Sequence, residues 1–162
     1  MSSISINYHL VKNGWSHFEL SLGDKMVDVG AFGYCSDALG DLVRCALLIA
    51  TSDFHAEVRL DGEPCEWRLI IDEGWKPERR LRVLFYPESD LPEAEGRLLI
   101  EGIVAADDFA RAVQRAAQGI WDTYGADGYN EVWMGQRGFP LRGLKALDAA
   151  LSYEEPSPSE PS

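Results

Sequence analysis

Polar and apolar residues alternate from the start of the chain: Ile4, Ile6, Tyr8 and Leu10 fall on one face, and Phe18, Leu20 and Leu22 on one face of the next run. Period two predicts two half-buried strands joined as a hairpin. A two-residue Asn13-Gly14 turn would set Tyr8 opposite Glu19, apolar against polar. A three-residue loop, Lys12 to Gly14, sets Tyr8 opposite Phe18, Ile6 opposite Leu20 and Ile4 opposite Leu22, with Gly14 in the left-handed position of a bulged turn. The second register is therefore expected, followed by a short strand from Met26 to Gly30.

The period then changes. In SDALGDLVRCALLIA, Leu39, Leu42, Val43, Ala46, Leu47 and Ala50 recur at helical spacing, with Ser36 or Asp37 placed to cap. Its second half is apolar on nearly every side, which predicts a buried helix. Ala56, Val58 and Leu60 alternate again, as do Cys65, Trp67, Leu69 and Ile71 across the Asp61 to Pro64 turn. Leu81, Val83 and Phe85 follow, and an acidic loop, Glu88 to Gly96, leads to a strand over Leu98 to Val104. Phe109, Val113, Ala116, Ile120 and Tyr124 form the stripe of an amphipathic helix with Asp107 as N-cap and Gly125 as stop. Gly125 to Phe139 reads as an aromatic loop, and Pro140 opens a last helix carrying Leu141, Leu144, Leu147 and Leu151. The predicted order is three strands, a helix, four strands and two helices. This is an α+β fold, an antiparallel meander of about seven strands covered by about three helices. Residues 1–151 are expected to be one domain, and 152–162 a disordered acidic tail rich in Pro and Ser.

Charge narrows the choice of partners. The 162 residues carry 15 Lys and Arg against 27 Asp and Glu, a formal charge of −12. Such a field repels nucleic-acid backbones and anionic membranes and attracts basic proteins. Residues 51–104 are the most acidic part, with 13 acidic and 7 basic side chains. The three cysteines, Cys35, Cys45 and Cys65, have no metal-ligand spacing, and their odd number suits a reducing compartment. No signal-peptide pattern or membrane-length apolar run is read, so a cytoplasmic location is expected.

No phosphate-loop, nucleophile-elbow, zinc-protease or dinucleotide-binding motif is present, and no cofactor is expected. The hairpin register sets His9 opposite His17 and Asn7 opposite Glu19; His9, His17 and Glu19 would be weak ligands for a divalent metal, but a third firm ligand is missing and a solvated sheet face is the preferred reading. Cys35, near a helix start, is a candidate nucleophile, but with no histidine near it in sequence a buried spectator cysteine is the preferred reading. Asp72-Glu73 and Asp107-Asp108 are carboxylate pairs that turn solvation and helix capping explain. Trp15 and Trp75 fall in turns, where an exposed ring would anchor a partner.

The order of SDALGDLVRCALLIA, EPCEWRL, DDFARAV, GYNEVW and FPLRGLKAL resembles a group of small uncharacterised bacterial proteins over roughly residues 30–151. Those motifs are structural and imply no catalytic residue. In size, acidity and fold class the chain is also similar to immunity proteins, which neutralise toxins passed between bacteria. The resulting expectation is a non-enzymatic acidic domain that binds another, basic protein. Asp61, Glu63, Asp72, Glu73, Glu88, Asp90, Glu93 and Glu95 would be its contact residues, with Trp75 as anchor. Two alternatives are a small-ligand binder or enzyme with a pocket between sheet and helices, lined by Cys35, His9, His17 or Tyr129, and a self-associating subunit.

Overall fold

The N-terminal hairpin folds in the register its apolar face requires. In a computed structural model that describes residues 1–51, 55–73, 77–135 and 137–152, β1 (Ile4–Leu10) pairs antiparallel with β2 (Trp15–Leu22). Ile4 lies opposite Leu22, Ile6 opposite Leu20 and Tyr8 opposite Phe18. Gly14 has φ +78°, and a β-carbon there would stand 2.5 Å from Tyr34 Cδ1 and 2.8 Å from the Trp133 carbonyl oxygen, so glycine is required twice over. The third strand, β3 (Lys25–Gly33), runs past the expected Gly30 because Phe32 continues the buried face.

The next four strands, β4 (Ala56–Asp61), β5 (Glu66–Asp72), β6 (Glu78–Tyr86) and β7 (Arg97–Ala105), form a second antiparallel meander. The fold is α+β as expected, with its seven strands divided into sheets of three and four. The division falls at α1 (Ala38–Ala50), which lies between β3 and β4 in the chain. The sheets meet where the Ser2 amide donates to the Ile103 carbonyl at 2.7 Å and Leu22 packs on Gly102.

α1 buries Leu39, Leu42, Val43, Ala46 and Ile49 and runs beside β4, while α2 (Ala106–Trp133) runs beside β1. α3 (Leu141–Ser152) buries Leu144, Leu147 and Leu151, and the three helices touch one another. Both sheets and all three helices feed one continuous core. Each fully buried Phe or Leu in it, such as Phe18, Leu20 or Leu39, contributes about 1.5–3 kcal/mol.

Both ends of α2 differ from the sequence reading. Ala105 rather than Asp107 is the N-cap of α2, and Asp107 and Asp108 lie in the first turn, where the helix dipole favours them. Gly125 (φ 63°, ψ −172°) interrupts the helix as expected, but the chain regains helical geometry and ends at Met134 in the left-handed conformation. The stretch read as an aromatic loop is thus helical through Trp133, because Tyr129 and Trp133, four apart, both enter the core. The acidic tail lies outside the described residues beyond Ser152. Among the described residues no helix is long and apolar enough to cross a membrane.

Candidate functional site

The acidic residues of the middle segment go to two places. Most of them meet arginines on the outer face of the four-stranded sheet. Asp72 pairs with Arg82 at 3.1 Å, Glu73 with Arg80 at 3.6 Å, Glu93 with Arg82 at 3.8 Å and Asp90 with Arg59 at 3.5 Å. Under the acidic loop, Arg68 is only 2% exposed. It donates to Glu66 and to the Leu91 carbonyl at 2.6 Å each, and its guanidinium lies 3.9 Å from the Tyr86 ring centre. Glu66 in turn accepts from the Asp90 amide at 3.2 Å, and Leu91 packs with Ile70, Leu84 and Tyr86 in a small second core. The loop is therefore tied down over the sheet. Glu88 and Glu95 are exposed on it without an ion pair among the described residues. Trp75, the expected anchor, lies outside the described residues.

The polar face of the three-stranded sheet carries the expected histidine pair. His9 and His17 are opposite each other and stack with ring centres 4.7 Å apart. His9 Nε2 lies 3.5 Å from Glu19, His17 Nδ1 lies 3.2 Å from Asp28, and Asn7 Nδ2 donates to Glu19 at 3.4 Å. Stacking points the two imidazoles at separate carboxylates. Among the described residues His9, His17 and Glu19 do not bring three donor atoms together; only Cys35, Asp61 and Glu63 do, within 4.8 Å of one another.

That trio sits at the pole where the β4–β5 turn meets the loop before α1. Asp61 accepts from the Glu63 amide at 2.9 Å, and Glu63 accepts from the Cys35 thiol. The hydrogen bond to Glu63, with burial and two nearby carboxylates, raises the thiol pKa. A helix start favours a thiolate, and these neighbours oppose it; Cys35 is exposed, not the buried spectator the sequence reading preferred. Cys65 stands across the same turn, near Gly62, and buried Cys45 is pushed up to about 12 by desolvation.

Beside Cys35 opens a cleft of about 420 Å³ lined by Tyr34, Ser36, Asp37, Trp133, Met134 and Arg137. Three segments build it: the loop into α1, the C-terminal end of α2, and the approach to α3. The hairpin turn braces it, since the Gly14 amide donates to the Val132 carbonyl at 3.0 Å. Tyr34 and Met134 stand 52% and 56% exposed at its mouth. Burial raises the Asp37 carboxyl pKa, with the charge of Asp41 adding; the Gly40 amide, Arg137 and Arg44 oppose the shift. Tyr129 and Tyr8, buried within electrostatic reach of Asp37, are both raised, chiefly by desolvation. The hydroxyls of Ser36 and Tyr129 and Oδ1 of Asp37 are buried without a hydrogen-bond partner among the described residues.

The pole brings Cys35, Asp61 and Glu63, which the sequence singled out, near Asp37, read only as a cap, Trp133 and Arg137, read only as part of the Gly125 to Phe139 segment, and Tyr34, which the sequence reading missed. Desolvation of Tyr129 and the Cys35–Glu63 hydrogen bond disfavour ionisation of that phenol and that thiol. Comparison with protein-family models, with curated proteins and with solved structures finds no match.

Proposed function

We propose that the protein is a non-enzymatic, acidic protein-binding domain whose partner presents a basic surface, docked at the pole formed by the Tyr34–Asp37 loop and the β4–β5 turn. One contrast carries this reading. Asp72, Glu73, Asp90 and Glu93 already have arginine partners, whereas Asp37, Asp61 and Glu63 make no ion pair among the described residues, and the exposed Tyr34 and Met134 share the cleft with Asp37. Clustered carboxylates repel one another and are relieved by a cation brought in from outside. An exposed aromatic beside them supplies desolvated contact area. A toxin that acts on an anionic substrate presents a basic cleft of this kind, so an immunity protein that occludes such a site is the most concrete form of the reading.

A second reading, a small-ligand binder, draws on the hydroxyls of Ser36 and Tyr129 near Asp37, unpartnered among the described residues. The test is capture from lysate of the source cell on the immobilised parent and on the pole variant Asp37→Asn/Asp61→Asn/Glu63→Gln. A basic protein held by the parent and released by the variant supports the protein-binding reading. Equal retention on both, or retention of metabolites alone, contradicts it.

A further inference from the structure

We infer that the cleft between the Tyr34–Asp37 loop and the C-terminal end of α2 is a receptor for an arginine side chain, with Asp37 as its counter-charge, Tyr34 and Trp133 as its walls and the hydroxyls of Ser36 and Tyr129 as further acceptors. The inference rests on the protein-binding reading and names the partner group that fills the site.

The floor of the cleft supports it. Two groups that line the cleft, the Ser36 hydroxyl and Oδ1 of Asp37, have no hydrogen-bond partner among the described residues, and neither has the fully buried Tyr129 hydroxyl, which lies within electrostatic reach of Asp37. Leaving such a group unpaired costs about 1–3 kcal/mol, so several around one carboxylate describe a site completed from outside. A donor suits them better than an acceptor. The carboxylate only accepts, and each hydroxyl can turn its lone pairs to a donor. Guanidinium has five N–H donors and no acceptor, and its plane stacks on aromatic faces, which ammonium does less well. Asp61 and Glu63, clustered with the lining residue Cys35, and Asp41, within electrostatic reach of Asp37, favour a cationic guest; Arg44 is already occupied by Asp41 at 2.6 Å.

Arg137 is the group that opposes a cation. It lines the cleft, is exposed, and makes no ion pair with Asp37. It therefore separates the two signs of ligand. Removing it strengthens binding of a cation and weakens binding of an anion.

The experiment is titration of the ¹⁵N-labelled full chain with N-acetyl-arginine amide, N-acetyl-lysine amide and N-acetyl-glutamate amide at low salt, followed by amide and indole shifts. Saturable shifts at Ser36, Asp37 and the Trp133 indole are expected for the arginine probe, with weaker ones for lysine. Asp37→Asn should weaken arginine binding about tenfold or more, the loss of a charge-assisted contact. Tyr129→Phe should weaken it less, and Arg137→Gln should tighten it. Melting curves check that the variants fold, and Tyr129→Phe, which removes one oxygen, keeps the test open should Asp37→Asn unfold. An oligo-arginine peptide that binds elsewhere, unaffected by Asp37→Asn, overturns the arginine cleft and leaves the protein-binding reading standing. Glutamate binding lost in Arg137→Gln overturns both. No saturable shift in the cleft with the arginine probe overturns the receptor alone.

Discussion

Arg68 and Asp37 are the two charged residues whose burial matters most, and they behave oppositely. Arg68 is buried with strong partners in place, so removing it leaves the buried Glu66 with only the Asp90 amide and a 3.9 Å contact to Arg59. Arg68→Ala should lower the unfolding free energy by about 3–5 kcal/mol in urea titration, as broken buried pairs do. A loss below about 1 kcal/mol would show that the pair is solvated. Asp37 is half-buried without a hydrogen-bond partner on Oδ1, and its pKa is raised by that burial. The native state then holds its proton more tightly than the unfolded chain, so stability contributed by this group falls as pH rises from the ordinary carboxylate range through the raised value. Asp37→Asn should remove that slope. At neutral pH the variant should be at least as stable as the parent, and below the ordinary carboxylate range the two should converge; a variant clearly less stable at neutral pH would contradict this. A residue that weakens the fold while serving binding is a familiar trade.

These two differ in how far the sequence reveals them. The His9–His17 pair was legible because strand parity alone sets which side chains oppose. Arg68 was not, since alternation marks one face of β5 as buried and says nothing of a loop folding over the other. Asp37 was legible only as a cap position. Its burial depends on Trp133 and Arg137, roughly a hundred residues along the chain.

The turns and helix ends are where elements are held in place. The hairpin turn seats Gly14 against Tyr34 and the end of α2, at a positive φ. Gly14→Ala should therefore cost about 1–3 kcal/mol of stability and disturb the cleft mouth, read as a lower melting temperature and shifted Tyr34 signals. At Gly125 a β-carbon would meet nothing within 4 Å, so only its φ of 63° opposes substitution. Gly125→Ala should cost less than Gly14→Ala, and the reverse order would contradict the packing described. At the start of α2, Asp108→Lys should lower stability by about 0.3–1 kcal/mol, an effect that salt reduces. Helix periodicity identified α1, α2 and α3 from their stripes. It missed the turns of α2 after Gly125 because Gly and Asn there lower helix propensity, and tertiary burial of Tyr129 and Trp133 overrides it.

Across the molecule, alternation predicted seven antiparallel strands but not their division into two meanders, because nothing in period two says where one sheet stops. Net charge was legible from composition, whereas its distribution depends on which arginines the fold sets beside which acids. Those of the outer sheet face are compensated in place, and those of the pole are not. The central claim is that this pole, and not the acidic loop, binds the partner. Its most direct test is the affinity of an oligo-arginine peptide for the parent, for the pole variant Asp37→Asn/Asp61→Asn/Glu63→Gln, and for a sheet-face variant Glu73→Gln/Asp90→Asn/Glu93→Gln, which removes equal charge. The account predicts at least about a tenfold loss for the pole variant and under about threefold for the sheet-face variant, beyond the uniform effect of net charge. Equal losses, or a larger one from the sheet face, would contradict it.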